Sequence, residues 1–118
     1  MLPKAHRLRT SLEFALTTKV GLRASSNSLV LYVHSSEGLN LADGPKVGLI
    51  VNKSVGGSVI RHRVSRQLRH AIAQHLVKFP KNSYIVIRVL RAEQKFDQEL
   101  AGLVQDISKK LAAKSVMA

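Results

Sequence analysis

The fold turns on residues 47–77, VGLIVNKSVGGSVIRHRVSRQLRHAIAQHLV. Val47-Gly48-Leu49-Ile50-Val51-Asn52 is an apolar run of strand length. Gly56-Gly57-Ser58 follows as a flexible turn with Ser58 as N-cap, and the apolar spacing predicts a helix over about Val59 to Val77. Pro80-Lys81-Asn82 breaks the chain, and Tyr84 to Leu90 is again mostly apolar, the pattern of a buried strand. Strand, helix and strand in this order make a crossover, and strands joined this way run parallel.

Working outward, Ser28 to His34 (SLVLYVH) reads as another strand. Ser35 to Lys46, with Gly38, Asn40, Asp43-Gly44 and Pro45, reads as a loop or wide hairpin turn, so strand 47–52 is expected antiparallel to the first. Leu8, Leu12 and Leu16 recur at i, i+4, i+8 on a short helix from Arg7 to about Thr18, with Ala15 beside the stripe and Phe14 off it; Gly21 ends it. A further short strand fits around Val20 to Ala24. At the other end Phe96, Leu100, Leu103, Val104, Ile107 and Leu111 predict a helix over about Lys95 to Lys114. The order is that of an α+β fold, a small sheet packed with helices in a two-layer sandwich, with residues 1–118 forming a single domain.

Composition narrows the function. The chain has 118 residues, 45% of them apolar, which excludes disorder throughout. It contains no cysteine, which excludes disulfides and thiolate metal sites. No apolar run approaches the roughly 20 residues that span a bilayer, and Met1-Leu2-Pro3-Lys4 lacks a secretory apolar segment. A cytoplasmic protein with no membrane partner is expected. Nineteen lysines and arginines face seven acids, a net charge of +12. Between Gly44 and Ala92 there is no acid but there are ten lysines and arginines. Solubility does not require such segregation, and it opposes compaction. A polyanion partner, nucleic acid above all, accounts for it.

At 100° per residue from Ile60, the central helix divides in two. Ile60, Val64, Leu68, Ala71, Ile72, His75 and Leu76 occupy an apolar arc that should pack on the sheet. His62, Arg63, Arg66, Arg69 and His70 form one cationic stripe. Arg61 falls on the apolar side, in the first turn, where its stem can snorkel past the sheet edge. Guanidinium forks favour phosphate. The preceding Asn52-Lys53-Ser54-Val55-Gly56-Gly57 offers close backbone approach and a helix N-terminus, but GxxxxGK[ST] is absent.

Catalytic constellations are missing from the sequence. The five histidines give no i,i+4 pair for a zinc helix and no HExxH motif. His75 reads as a core-edge residue and His70 as part of the stripe. No pair of acids falls in the heart of the chain for two-carboxylate or two-metal chemistry. Ser58 is better read as a cap than as a nucleophile. The chain does not read as a stand-alone enzyme. Among the few aromatics Phe96 is core. Phe14 and Tyr32 are either core or the lining of a groove on the sheet face away from the central helix, where single-stranded nucleic acid would stack.

Residues 52–69, NKSVGGSVIRHRVSRQLR, are similar to the signature of the bacterial ribonuclease P protein subunit, approximately S-K-K-x-G-N-A-V-x-R-N-R-x-K-R-x-x-R. Lys53, Gly56, Val59, Arg61, Arg63, Arg66 and Arg69 match it. His6-Arg7-Leu8-Arg9 followed by Glu13-Phe14 resembles the family's amino-terminal R-L-(K/R)-x-x-x-(D/E)-F, and Leu29-Val30-Leu31-Tyr32 and Tyr84-Ile85-Val86-Ile87 resemble two of its strands. The likeness covers about residues 6 to 112.

The resemblance implies a non-catalytic protein subunit of a ribonucleoprotein endonuclease that removes the 5′ leader of precursor tRNA, its catalytic RNA doing the chemistry. It implies that Lys53, Arg61, His62, Arg63, Arg66 and Arg69 engage that RNA, and that Phe14, Tyr32, Arg7 and Arg9 serve the leader cleft. It further implies Mg2+ held mainly by the RNA subunit and substrate, one protein copy per RNA, and a left-handed βαβ crossover, against the general preference for right-handed ones. Four positions depart from the family pattern. Gly57 stands for Asn, His62 for the Asn between the motif arginines, Ser65 for Lys, and Thr18 for a second cleft aromatic. A ribosomal or translation-associated RNA-binding protein would share the charge and fold class. A DNA reader would need a helix, not a strand, packed ahead of the recognition helix.

Overall fold

The computed structural model describes residues 11–35, 45–79, 83–93 and 95–117. The expectations for Arg7, Leu8, Arg9, the 36–44 turn and the 80–82 break lie outside them. Helix α1 covers Ser11–Val20, strands β1, β2 and β3 Leu22–Ser25, Leu29–Ser35 and Lys46–Ile50, helix α2 Ser58–Ala73, strand β4 Ser83–Val89 and helix α3 Asp97–Met117. Single 3₁₀ turns, Lys53–Val55 and Leu76–Lys78, flank α2.

The sheet order is β1-β2-β4-β3. β3 and β4 pair in parallel, Val47 opposite Ile85 and Leu49 opposite Ile87, as the crossover predicts. The expected neighbourhood of β2 and β3 is not found. The two run in opposite directions, but β4 lies between them, antiparallel to β2 with Leu31 opposite Ile87. A strand apolar on both faces is most stable with a neighbour on each side, and Ile85, Val86 and Ile87 are all fully buried. The short strand after Gly21 is present and pairs with β2.

Alternation along the strands sends Leu29, Leu31, Val33, Ile85, Ile87 and Val89 to one face. There they pack with Val64, Leu68, Ala71 and Ile72 of α2, and with Phe96 and the Leu100, Leu103, Val104 and Ile107 stripe of α3. These are the two layers of the sandwich. Helix α1 lies on the opposite face, where Phe14 packs against Val30, Tyr32 and Val86.

The leucine stripe predicted for α1 points the wrong way. Leu12 is 79% exposed and Leu16 38%, whereas Thr17 is completely buried. The reason lies at Gly21, where a Cβ would stand 2.4 Å from the Thr17 carbonyl oxygen and 2.8 Å from that of Val33. This near-contact of backbones turns the Phe14–Thr17 side of α1 inward. Burial of Thr17 is tolerated because its hydroxyl donates to the Glu13 carbonyl at 2.8 Å.

The start of α2 also differs from expectation. Gly57, extended at φ −68° and ψ 177°, is the N-cap, no side chain caps it, and Ser58 is already helical. Ile60 remains 37% exposed, and Ser58 and Val59 in the same first turn are exposed too. The helix ends at Ala73, short of the expected Val77. At the far end of the sheet the Ser26–Ser28 turn is tied to α3. Glu99 accepts from the Ser28 amide at 2.6 Å and from the Ser26 hydroxyl, and Glu93 accepts from the Ser28 hydroxyl at 2.8 Å. His75 is half-buried just after α2, and its Nδ1 is buried without a hydrogen-bond partner. Desolvation, and then the charge of Lys78, hold its pKa below the ordinary value.

Gly56 and Gly57 should respond oppositely to substitution. Gly56 has φ +156°, and a Cβ there would lie 2.9 Å from Ile60 Cγ2, so Gly56→Ala should lower stability by about 1–3 kcal/mol in denaturant unfolding. Space beside Gly57 is open, so Gly57→Asn should leave stability unchanged or raise it by roughly a few tenths of a kcal/mol through a new cap.

His75 gives a pH prediction. Its folded pKa is depressed, so between about 6.5 and that lower value the unfolded chain takes up a proton that the folded chain refuses. Stability should therefore fall as pH drops below about 6.5. His75→Gln should flatten the fall in melting temperature between about pH 7 and 5.

Candidate nucleic-acid interface

Helix α2 carries its cations into solvent because the opposite arc is claimed by the core. Val64, Leu68, Ala71 and Ile72 are buried, while His62, Arg63, Arg66 and His70 are exposed. No acid lies on α2 or on the turn before it, where Lys53 is also exposed. This surface is electropositive along its whole length.

The expected single stripe is in fact divided. Arg61 and Arg69 are half-buried, and with Val51, Ser58, His62 and Ser65 they line a cavity of about 290 Å³ beside the exit of β3. The Arg61 Nε is buried without a hydrogen-bond partner. Arg63, Arg66 and His70 lie outside this cavity on the next arc of the helix. Arg61 sits among apolar positions on a helical wheel, and it is half-buried beside Val51, not carried fully into solvent.

Phe14 and Tyr32 come together on the opposite face of the sheet, as a groove lining requires. Phe14 is half-buried, whereas Tyr32 is only 8% exposed, so the phenol serves the small α1 core as much as any groove. The Thr18 hydroxyl is turned onto α1, donating to the Phe14 carbonyl at 3.0 Å. Tyr84 joins the cluster, its pKa raised by burial and by Glu13, the carboxylate that takes its hydrogen bond. Arg7 and Arg9 lie outside the described residues.

This face holds cations that the sequence reading did not assign. Arg23 is the register partner of Tyr32, Arg88 lies between Val30 and Ile50, and Lys46 is opposite Tyr84. Arg23 and Arg88 are exposed. The signal for Arg88 was available, since Tyr84, Val86 and Arg88 share one side of a strand at period two. Arg23 could be placed only once β1 was paired. Among the described residues no three His, Cys, Asp or Glu side chains gather as metal ligands would, and no helix is long and apolar enough to cross a membrane.

Comparison with known proteins agrees with this geometry. The family profile described as Ribonuclease P matches residues 2–113. The chain is similar to the ribonuclease P protein component of Mycobacteroides abscessus, 48% identical over 93 residues, covering 76% of this chain and 73% of that one. It is 42% identical over 118 residues to the component of Corynebacterium diphtheriae, covering 97% and 99%. In fold it resembles the RNase P protein of Staphylococcus aureus, with a TM-score of 0.63 at 19% identity over 93% and 92% of the chains. The RNase P protein of Thermotoga maritima gives 0.59 at 21% over 91% and 92%.

Because Arg63 and Arg66 are exposed, replacing both by Ala should leave the melting temperature unchanged while weakening binding to structured RNA. The magnitude of the log–log salt slope should fall by between about 1 and 2, somewhat under one per lost phosphate contact. A salt titration of wild type and variant checks this.

Proposed function

The chain belongs to the ribonuclease P protein family, and from that premise we propose how it serves the 5′ maturation of tRNA: α2 binds the catalytic RNA, and the α1 side of the sheet receives the 5′ leader of precursor tRNA. The observation that carries this reading is the disposition of the two surfaces. An acid-free cationic helix lies on one side of the sheet, and an aromatic cluster bordered by Arg23, Arg88 and Lys46 on the other. Two RNA ligands can thus be held at once without competing for one site.

Physically, the subunit acts as a counter-charge. Catalytic RNA and precursor are both polyanions and repel each other, and Lys53, Arg61, His62, Arg63, Arg66 and Arg69 lower that repulsion where the two meet. Phe14, half-buried, offers its ring to a leader base, with Tyr32 packed in the same cluster, and the bordering cations engage the leader phosphates. Mature tRNA lacks the leader and gains nothing from this face.

Three of the described acids are engaged by the fold itself. Glu93 and Glu99 are held by the Ser26–Ser28 turn and Glu13 by Tyr84. In this reading Mg2+ would be held mainly by the RNA subunit and the substrate, where it would supply charge neutralisation and an activated water. One copy of the chain serves each RNA, in the cytoplasm.

RNA-free protein should leave precursor tRNA intact, whereas its addition to cognate catalytic RNA should lower the magnesium concentration needed for cleavage. Metal-dependent cleavage by protein stripped of RNA would overturn the proposal.

Leader recognition has a separate test. Phe14→Ala should weaken holoenzyme binding of precursor by roughly 5- to 150-fold, the equivalent of one stacked base at about 1–3 kcal/mol, and leave mature tRNA unaffected. The variant's fold is checked by circular dichroism, and unchanged precursor affinity in a folded variant would remove Phe14 from the leader site.

A further inference from the structure

We propose that α2 grips two separate stretches of RNA backbone, one phosphate entering the cavity beside β3 and a second strand running along the outer ridge. The inference rests on the RNA-binding reading above and goes further, because the cations of this one helix do not form one surface.

On a wheel with Ile60 at zero, the cavity residues Arg61, Ser65, Ser58, Arg69 and His62 lie between about 100° and 200°, and Arg66, His70 and Arg63 between about 240° and 300°. The arginines of the two groups differ in exposure as well as direction. Arg61 and Arg69 are half-buried, whereas Arg63, Arg66 and His70 are exposed. An α-helix with side chains is about 10–12 Å across, so a backbone seated on one arc does not also follow the other.

The cavity has the chemistry of a phosphate pocket. Two guanidinium groups and two hydroxyls converge on it, Val51 supplies an apolar wall, and no acid lines it. The Arg61 Nε is desolvated with nothing to donate to, so a guanidinium that turns this N–H onto a phosphate oxygen gives up no existing bond there. The ridge suits a different ligand. It is convex and open, and Val59, 81% exposed, lies on the same arc. A strand can run along it and contact Arg63, Arg66 and His70 in succession.

Hydroxyl-radical footprinting of the catalytic RNA at saturating protein tests the division. Pocket variants (Arg61→Lys, which keeps charge but loses the fork, and Arg69→Ala) and the ridge variant (Arg63→Ala with Arg66→Ala) should each lose protection at one set of nucleotides, and the sets should not overlap. Each set should weaken affinity by about tenfold or more, and the combined variant should lose the product of the two factors. Loss of the same nucleotides by both sets would overturn the two-stretch proposal. Unchanged affinity and footprint in every variant would instead overturn the RNA-binding role of α2.

Inorganic phosphate provides an arm without RNA. It should raise the melting temperature of wild type and ridge variant above chloride of equal ionic strength, and raise that of the pocket variants less. An equal rise in pocket variants that fold by circular dichroism would remove the phosphate from the cavity.

Discussion

Twelve uncompensated positive charges on 118 residues set the constraint that the rest of the structure answers. Mutual repulsion favours expansion, so compactness must come from burial that owes nothing to charge. The sheet provides it. β4 buries Ile85, Val86 and Ile87 completely, and the stripes of α2 and α3 close one face with aliphatic side chains alone. The cations are then displaced to α2's outer arcs and to the rows of the sheet face that α1 leaves open. The few acids do not neutralise the cationic helix. Glu99 instead fastens the Ser26–Ser28 turn to α3 and Glu93 fastens it to the segment after β4, their lone pairs meeting hydroxyl and amide donors. Charge excess and acid placement together leave an electropositive surface that only a polyanion completes.

Much of this was legible in the residues. Apolar runs located β2, β3 and β4, and the spacing of Val64, Leu68 and Ile72 fixed the inward face of α2. The pairing order was not legible, because adjacency of β2 and β3 in sequence suggested a hairpin, while the demand of β4 for two neighbours is a property of the whole sheet. The face of α1 was misread for a local reason. Leu12 and Leu16 are the more apolar residues, but the backbone contact at Gly21 overrides them, and a threonine whose hydroxyl bonds its own helix can be buried.

The site follows the same division. The arginine spacing around Arg61 and Arg63 carried the family resemblance and marked α2 as a cationic helix directly. Wheel angles did not by themselves mark Arg61 as a cavity residue, since it shares its sector with Leu68 and Ile72. What separates them is position along the axis, the first turn having no buried residue and the later turns burying Val64, Leu68 and Ile72. Arg88 and Arg23 were overlooked because they are scattered in sequence and meet only through the strand register.

The order of the strands also bears on how the chain is born. Synthesis delivers β2 and β3 well before β4, yet both depend on β4 as their common neighbour, and Leu29 must wait for Val89. A ribosome adding about 5–20 residues each second therefore leaves two apolar strands with open edges for several seconds. Nothing upstream can substitute, since β1 satisfies only the other edge of β2. The nascent domain thus cannot mature piecemeal: both central ladders close together once Ser83–Val89 has cleared the exit tunnel, and a transcript truncated before that point yields a sticky, cationic fragment for the quality-control machinery to remove.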